Sequence, residues 1–312
     1  MSRAAVALVA AGAIALAAAP GAWALIKPSV TTGSARNVSF ASALVTGSVN
    51  PNGAETYYYV QYGQTAAYGS QTATAQASSG THKLNVSVAL IGLLPLTAYH
   101  YRFVAVNAAG ASTGSDAKFL TPKVPLSLAI ASAPNPVFFG GSVTIAGTLS
   151  GTGNGGRAVV LQADQFPYTA GFQNLGNAQL TSPTGAFSFP ILGLSLVTQY
   201  RVVALTSPAV VSPVVVEYVS VRVESHIGRA RRAHYVRFYG TVTPAENGMQ
   251  VGILRLVHGR GVLVGGATLR PGSNGRSYFS KVVRARHGAY HVLVRVTSGA
   301  QVSAYGPTIR IG

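Results

Sequence analysis

Three short apolar segments, ALVTGSV at 43–49, VTIAGTL at 143–149 and VRFYGTV at 236–242, carry a glycine at a similar place in an alternating pattern. Each is followed by a tyrosine-led run: AYHYRFVAV from Tyr99, QYRVVAL from Tyr200 and AYHVLVRV from Tyr290. From Gly47 to Tyr99, Gly147 to Tyr200 and Gly240 to Tyr290 the separations are 52, 53 and 50 positions, and the glycines themselves recur after 100 and 93. Self-similarity at a fixed period means serial units, each burying its own core. Alternation at period two, interrupted by Gly, Pro and Asn, means strands joined by turns. A single large domain does not fit this pattern.

The predicted units are 25–122, 123–219 and 220–312. The PKVP segment at 122–125 reads as a stiff linker, because each proline fixes its own φ and restricts the residue before it. The second boundary has almost no linker, which predicts a fixed mutual orientation of the second and third units. Charged residues make up 9% of the chain, against about 25% in an average soluble protein. There is no cysteine. Disulfides, thiolate metal sites, a Cys nucleophile and a lipid-bearing Cys are therefore excluded, and each unit depends on its core for stability.

Residues 1–24 read as a secretory signal peptide, with Arg3, an apolar run from Ala4 to Ala19, Pro20 and the small-residue pattern Ala22-Trp23-Ala24. As a helix the apolar run would rise only about 24 Å, short of the ~30 Å hydrocarbon core. Export is expected, with the mature protein extracellular or associated with the cell surface. The C-terminal TIRIG has neither a sorting motif nor an apolar tail, so covalent wall attachment is not expected.

Residues 93–107 follow LxPxTxYxYRxxAxN. In a sandwich Leu93 enters the core, Pro95 sets a corner, and Tyr99 opens a central strand with its hydroxyl free to bond a backbone group, the tyrosine corner. This run resembles the hallmark of fibronectin type III domains. GSVNPNGAETYYYVQYGQTAAYGSQT at 47–72 resembles the version found in secreted proteins of high-GC Gram-positive bacteria. The second and third units resemble bacterial immunoglobulin-like domains, through GTLSGTGNGGRAVVLQ at 147–162 with GAFSFP at 185–190, and through GTVTPAENGMQVGILRL at 240–256. The resemblance implies an all-β chain of three tandem immunoglobulin-like or fibronectin type III β-sandwiches after the signal peptide. The early-strand tryptophan common in animal fibronectin type III domains is missing, since the only Trp is Trp23. Tyr57 to Tyr59 or Phe40 are expected to fill its space. No Arg-Gly-Asp occurs in the loop at 107–116, so integrin-style adhesion is not implied.

Residues for chemistry are sparse. The six carboxylates, Glu55, Asp116, Asp164, Glu217, Glu224 and Glu246, are scattered, and a glycosidase pair would have to be assembled from different units. His287 and His291 in HGAYH are four apart, but a glycine and a predicted strand there defeat the helical metal-site argument. No GxSxG elbow occurs, and GTGNGG at 151–156 reads as a hairpin turn rather than a phosphate loop. Asn37-Val-Ser and Asn85-Val-Ser match a short glycosylation pattern. A protein without catalysis, metal or cofactor is expected. Tyr57 and Tyr59, and likewise Phe166, Tyr168 and Phe172, could stack on sugars but are read as packing residues, because aromatics usually face inward.

Charge is the most uneven feature. Residues 221–312 hold 14 Lys or Arg against Glu224 and Glu246, a net +12 of the chain's +17. At period two, Val221, Val223, Val236, Phe238, Val283 and Ala285 face inward, whereas Arg222, Arg237, Arg284 and Arg286 face outward, on three strands of one sheet. Lys281 breaks this parity and is expected before the strand or at a bulge. The loop GRARRAH at 228–234 adds Arg229, Arg231 and Arg232. These seven arginines form the candidate polyanion-binding surface, for an anionic cell-wall polymer, an acidic polysaccharide or a membrane surface, with no specific nucleic acid implied. The bland reading is a solubilising surface. The expected function is a secreted, non-catalytic binding or spacer protein. The alternative is a carbohydrate-binding accessory of an extracellular polysaccharide-degrading system.

Overall fold

The computed structural model describes residues 25–312, so the expected signal peptide at 1–24, with Trp23, lies outside the described residues. Among the described residues there is no helix, and all strand pairs but one, the parallel Val137–Phe138 with Val219–Ser220, are antiparallel, in sheets packed as immunoglobulin-like β-sandwiches. The chain divides into two compact units between Lys123 and Val124.

The first unit runs through β1 (Ser29–Arg36), β2 (Ser42–Asn50), β3 (Thr56–Gly63), β4 (Ser70–Gln71), β5 (Ala75–Ser78), β6 (Leu84–Ile91), β7 (Ala98–Asn107), β8 (Gly110–Thr113) and β9 (Ala117–Leu120). Sheet β1-β2-β6 faces a larger sheet in which β3 and β7 pair centrally, flanked by β4 and β5 on one side and β8 and β9 on the other. Alternate residues of each strand meet between the sheets, and Val45, Val60, Leu90, Tyr101 and Phe103 are almost fully buried there. Strand β3 turns Thr56, Tyr58 and Val60 inward, so of the residues expected to fill the missing tryptophan's space Tyr58 is the one packed against this core. Phe40 does not take it, being 44% exposed.

The second unit holds two separate hydrophobic cores. Its strands are β10 (Ser127–Ala133), β11 (Val137–Phe138), β12 (Gly141–Ser150), β13 (Ala158–Gln165), β14 (Gln173–Asn174), β15 (Gln179–Leu180), β16 (Ala186–Leu194), β17 (Thr198–Ala204), β18 (Val210–Val211), β19 (Val215–Glu217) and β20 (Val219–Ser220). They continue through β21 (Arg222–Arg229), β22 (Tyr235–Thr243), β23 (Gln250–Val257), β24 (Arg260–Thr268), β25 (Arg270–Pro271), β26 (Ser277–Arg284), β27 (Gly288–Arg295), β28 (Ala304–Tyr305) and β29 (Ile309–Ile311). Sheet β10-β12-β16 packs on the sheet centred on β13 and β17, and β21-β22-β26-β25 packs on β24-β23-β27 with β28 and β29.

The two-residue β20 joins the second sandwich to the third. It runs parallel to β11 and bridges to Val302. The Val302 N–H donates to Val219 O at 2.8 Å, the Val197 N–H to Ala300 O at 2.8 Å, and buried Gln301 Nε2 to Ser195 O at 2.7 Å.

The repeated residues have a mechanical role. Gly47, Gly147 and Gly240 sit in the central strands β2, β12 and β22, where an aromatic ring lies against the backbone: Phe103, Phe187 and Phe279 respectively. The equivalent tyrosines are not those the spacing selects. Ladder register aligns the pairs Val60↔Phe103, Leu161↔Val202 and Ile253↔Val292, and so matches Tyr101 with Tyr200 and Tyr290. All three of those rings are nearly fully buried. Tyr99 lies two positions earlier on the same face, where the second and third sandwiches have Thr198 and Gly288. Its hydroxyl accepts from the Leu94 N–H at 3.0 Å, with Leu93 buried and Pro95 in the intervening turn. Tyr99→Phe is expected to cost the first unit about 1 kcal/mol, since one net hydrogen bond is lost without a cavity. A urea midpoint equal to wild type would show that the corner bond adds nothing.

Candidate functional site

The outer face of β21-β22-β26-β25 is built by strand parity. On β21, Val223 and Ser225 are buried while Arg222, Glu224 and His226 point to solvent. On β22, Phe238, Gly240 and Val242 are buried while Tyr235, Arg237, Tyr239 and Thr241 form the outer row. On β26, Tyr278, Ser280, Val282 and Arg284 complete the face. Register sets Tyr235 beside Arg284, Tyr239 between His226 and Ser280, and Thr241 between Glu224 and Tyr278.

This face joins Arg222, Arg237 and Arg284, all exposed. Arg237 lies 4.9 Å from the Tyr239 ring centroid and Arg232 lies 4.6 Å from that of Tyr235. Such stacking orders a guanidinium while leaving its N–H edge free for an anion. Glu224, the single carboxylate on the face, accepts from Thr241 Oγ1 at 2.9 Å and meets Arg276 Nη1 at 3.5 Å. A groove of ≈300 Å³ runs along the face, lined by Glu224, His226, Arg237, Tyr239, Thr241 and Tyr278 among others.

The structure differs from the sequence expectation in four respects. Arg229 is the last residue of β21, not a loop residue, while Arg231 and Arg232 stand exposed in the turn that follows. Arg286 is off the sheet: β26 ends at Arg284, and the Tyr290 hydroxyl holds both the Arg286 N–H (3.1 Å) and its carbonyl (2.9 Å). Lys281 lies within β26, opposite Phe238 and without a bulge. It occupies an inward register yet is exposed, because Gly265 on β24 leaves room for its stem and the ammonium can reach water. The tyrosines are the fourth difference. Tyr235 and Tyr239 share the parity of Arg237 in YVRFYGTV, so period-two alternation places all three on the outer face.

Elsewhere the closest acid–histidine pair is His100 with Asp116, Nδ1 to Oδ2 at 2.9 Å, on the first unit. His291 Nε2 lies 3.0 Å from Thr308 Oγ1, and His287 is exposed beyond β26. Among the described residues no three His, Cys, Asp or Glu come together as metal ligands.

No family model matches the chain, and no curated protein matches it. Solved structures similar to it include chicken CNTN1 domains FN1–FN3, at 16% identity over 90% of this chain and 97% of that one, with a TM-score of 0.30. A run of titin domains is 13% identical over 91% and 98%, with a TM-score of 0.39. A tetra-tandem repeat from the extending region of a large adhesion protein is 14% identical over 91% and 74%, with a TM-score of 0.30. At these TM-scores the likeness bears on neither site nor ligand, and the sandwich assignment rests on strand order and register.

Proposed function

We propose that the chain is a secreted, non-catalytic protein of three serial sandwiches, of bacterial type, that docks to an extracellular polyanion through its basic sandwich. The ligand is an anionic cell-wall polymer, an acidic polysaccharide or an anionic membrane surface, and the remaining sandwiches act as spacer or as further binding modules. The observation that carries this reading is the set of exposed arginines on one sheet face whose single carboxylate is already engaged by Arg276 and Thr241. A surface arranged only for solubility would intersperse both signs. Single-sign charge instead attracts polyanions and raises their encounter rate.

The full chain is expected to bind heparin at low ionic strength and to elute with salt, because exposed charges are screened over about 10 Å at 0.1 M. Replacing Arg222, Arg237 and Arg284 by Gln is expected to weaken binding about 10- to 100-fold, each exposed contact contributing up to ~1 kcal/mol. Passage of the wild-type chain through heparin and anionic-vesicle columns unretained at low salt would reject the reading.

A further inference from the structure

The outer face of the large sheet in the first unit has a different character. Tyr57 is 44% exposed, and its hydroxyl donates to Glu55 Oε1 at 2.8 Å. The same oxygen accepts from Gln76 Nε2 on β5 at 3.0 Å, which leaves Glu55 Oε2 free to accept from a ligand. Beside them lies a groove of ≈680 Å³, apolar along Ala54, Tyr57, Tyr59 and Val106. A cleft of this size, mostly apolar with a few fixed polar groups, is the usual form of a small-ligand site.

The pattern continues along the strand. Arg102 Nε donates to Gln61 Oε1 at 2.8 Å, and its guanidinium lies 4.7 Å from the Tyr68 ring centroid. The Tyr68 hydroxyl donates to Asp116 Oδ1 at 3.1 Å, while Asp116 Oδ2 meets His100 Nδ1 at 2.9 Å. Glu55 and Asp116 offset Arg102 and Lys118, the latter in register with His100. The face is therefore close to neutral, and from Glu55 to Gln61 it spans about 20 Å.

We propose that this face binds a neutral, hydroxyl-rich polysaccharide chain, with Tyr57 and Tyr59 as platforms for the apolar faces of sugar rings and Glu55 Oε2 as acceptor for their hydroxyls. An anionic ligand would gain nothing from a charge-balanced surface, and a purely apolar one would strand the hydrogen-bonding rim. Phenol rings combine a flat apolar body with a polar tip, which suits a ring with C–H faces and an O–H rim. The proposal stands apart from the polyanion reading and uses none of its residues.

The test is calorimetric titration of the full chain with hydroxyethylcellulose and with linear β-1,4-xylan. Binding of at least one polymer is expected and is expected to persist at about 1 M NaCl, where the screening length is ~3 Å. Tyr57→Ala is expected to weaken it about tenfold, Tyr57→Phe to retain most of it, and Arg237→Gln to leave it unchanged. Glu55→Gln, which keeps size and removes the acceptor charge, provides a second variant should Tyr57→Ala misfold, and it too is expected to weaken binding. Absence of binding to both polymers, loss of binding in salt, or wild-type affinity in folded Tyr57→Ala or Glu55→Gln would overturn the proposal.

Discussion

Gly240→Val is expected to destabilise the third sandwich by about 2–3 kcal/mol and to lower its melting temperature by roughly 10–20 °C. Local propensity argues the other way, because valine is favoured over glycine in a strand interior by about 0.5–1 kcal/mol. Sterics decide the sign. A Cβ at this position would run into the Glu224 carbonyl oxygen on β21 and would lie 2.9 Å from the Phe279 ring. Both neighbours are fixed, the carbonyl by the ladder with β22 and the ring by the core, where Phe279 is 1% exposed. Gly47→Val is expected to act similarly in the first unit, against Thr31 O at 2.8 Å and the Phe103 ring. Scanning calorimetry of the full chain checks both variants, and melting at the wild-type temperature would show that the glycines are not there for close approach.

Glu217→Gln is expected to stabilise the second sandwich by about 1–3 kcal/mol at neutral pH, and to lose that advantage on acidification. Glu217 is fully buried on β19, and neither carboxylate oxygen makes a hydrogen bond. Burial holds its carboxyl above the ordinary value of 4.5, an effect only partly offset by the nearby Ser132 hydroxyl and Val137 amide. The folded state therefore keeps this proton over a range above 4.5 where the unfolded chain has released it. Stability declines as pH rises through that range, and the full penalty of the buried charge persists above it. Glutamine carries no such penalty, so the difference from wild type should grow with pH from near zero below about 4.5. Glu246 is raised by burial in the same direction but is common to both proteins, so it cancels. Denaturant titrations at several pH values give the answer. A variant less stable than wild type at neutral pH would mean that the carboxylate has a bound partner.

Much of this molecule is legible in its sequence because strand parity is a local property. The inward Val221, Val223 and Phe238 and the outward Arg222, Arg237 and Arg284 follow from period-two alternation alone. What parity cannot fix is which of two same-face residues faces a given partner. Tyr99 and Tyr101 are indistinguishable by that rule, and only the ladder with β3 assigns Tyr101 to the repeated core position. Nor does parity locate a strand's end. Arg286 would face outward if β26 continued, but Tyr290 captures its backbone first. Tyr57 and Tyr59 show a third limit. General preference puts aromatics inside, whereas Thr56, Tyr58 and Val60 occupy the inward positions of β3 and leave these two tyrosines outside.

The short bridge at β20 dictates where a stable fragment can begin. A cut at the Lys123–Val124 junction leaves every strand pairing of the later residues intact. A cut just before Val219 would strip β11 of its parallel neighbour, and one just after Ser220 would take from Val302 its bridge to Ser220; Val219 and Val221 on either side are both fully enclosed in the whole chain. The third sandwich produced alone would thus start from an injured edge, and the second and third are best handled as one piece.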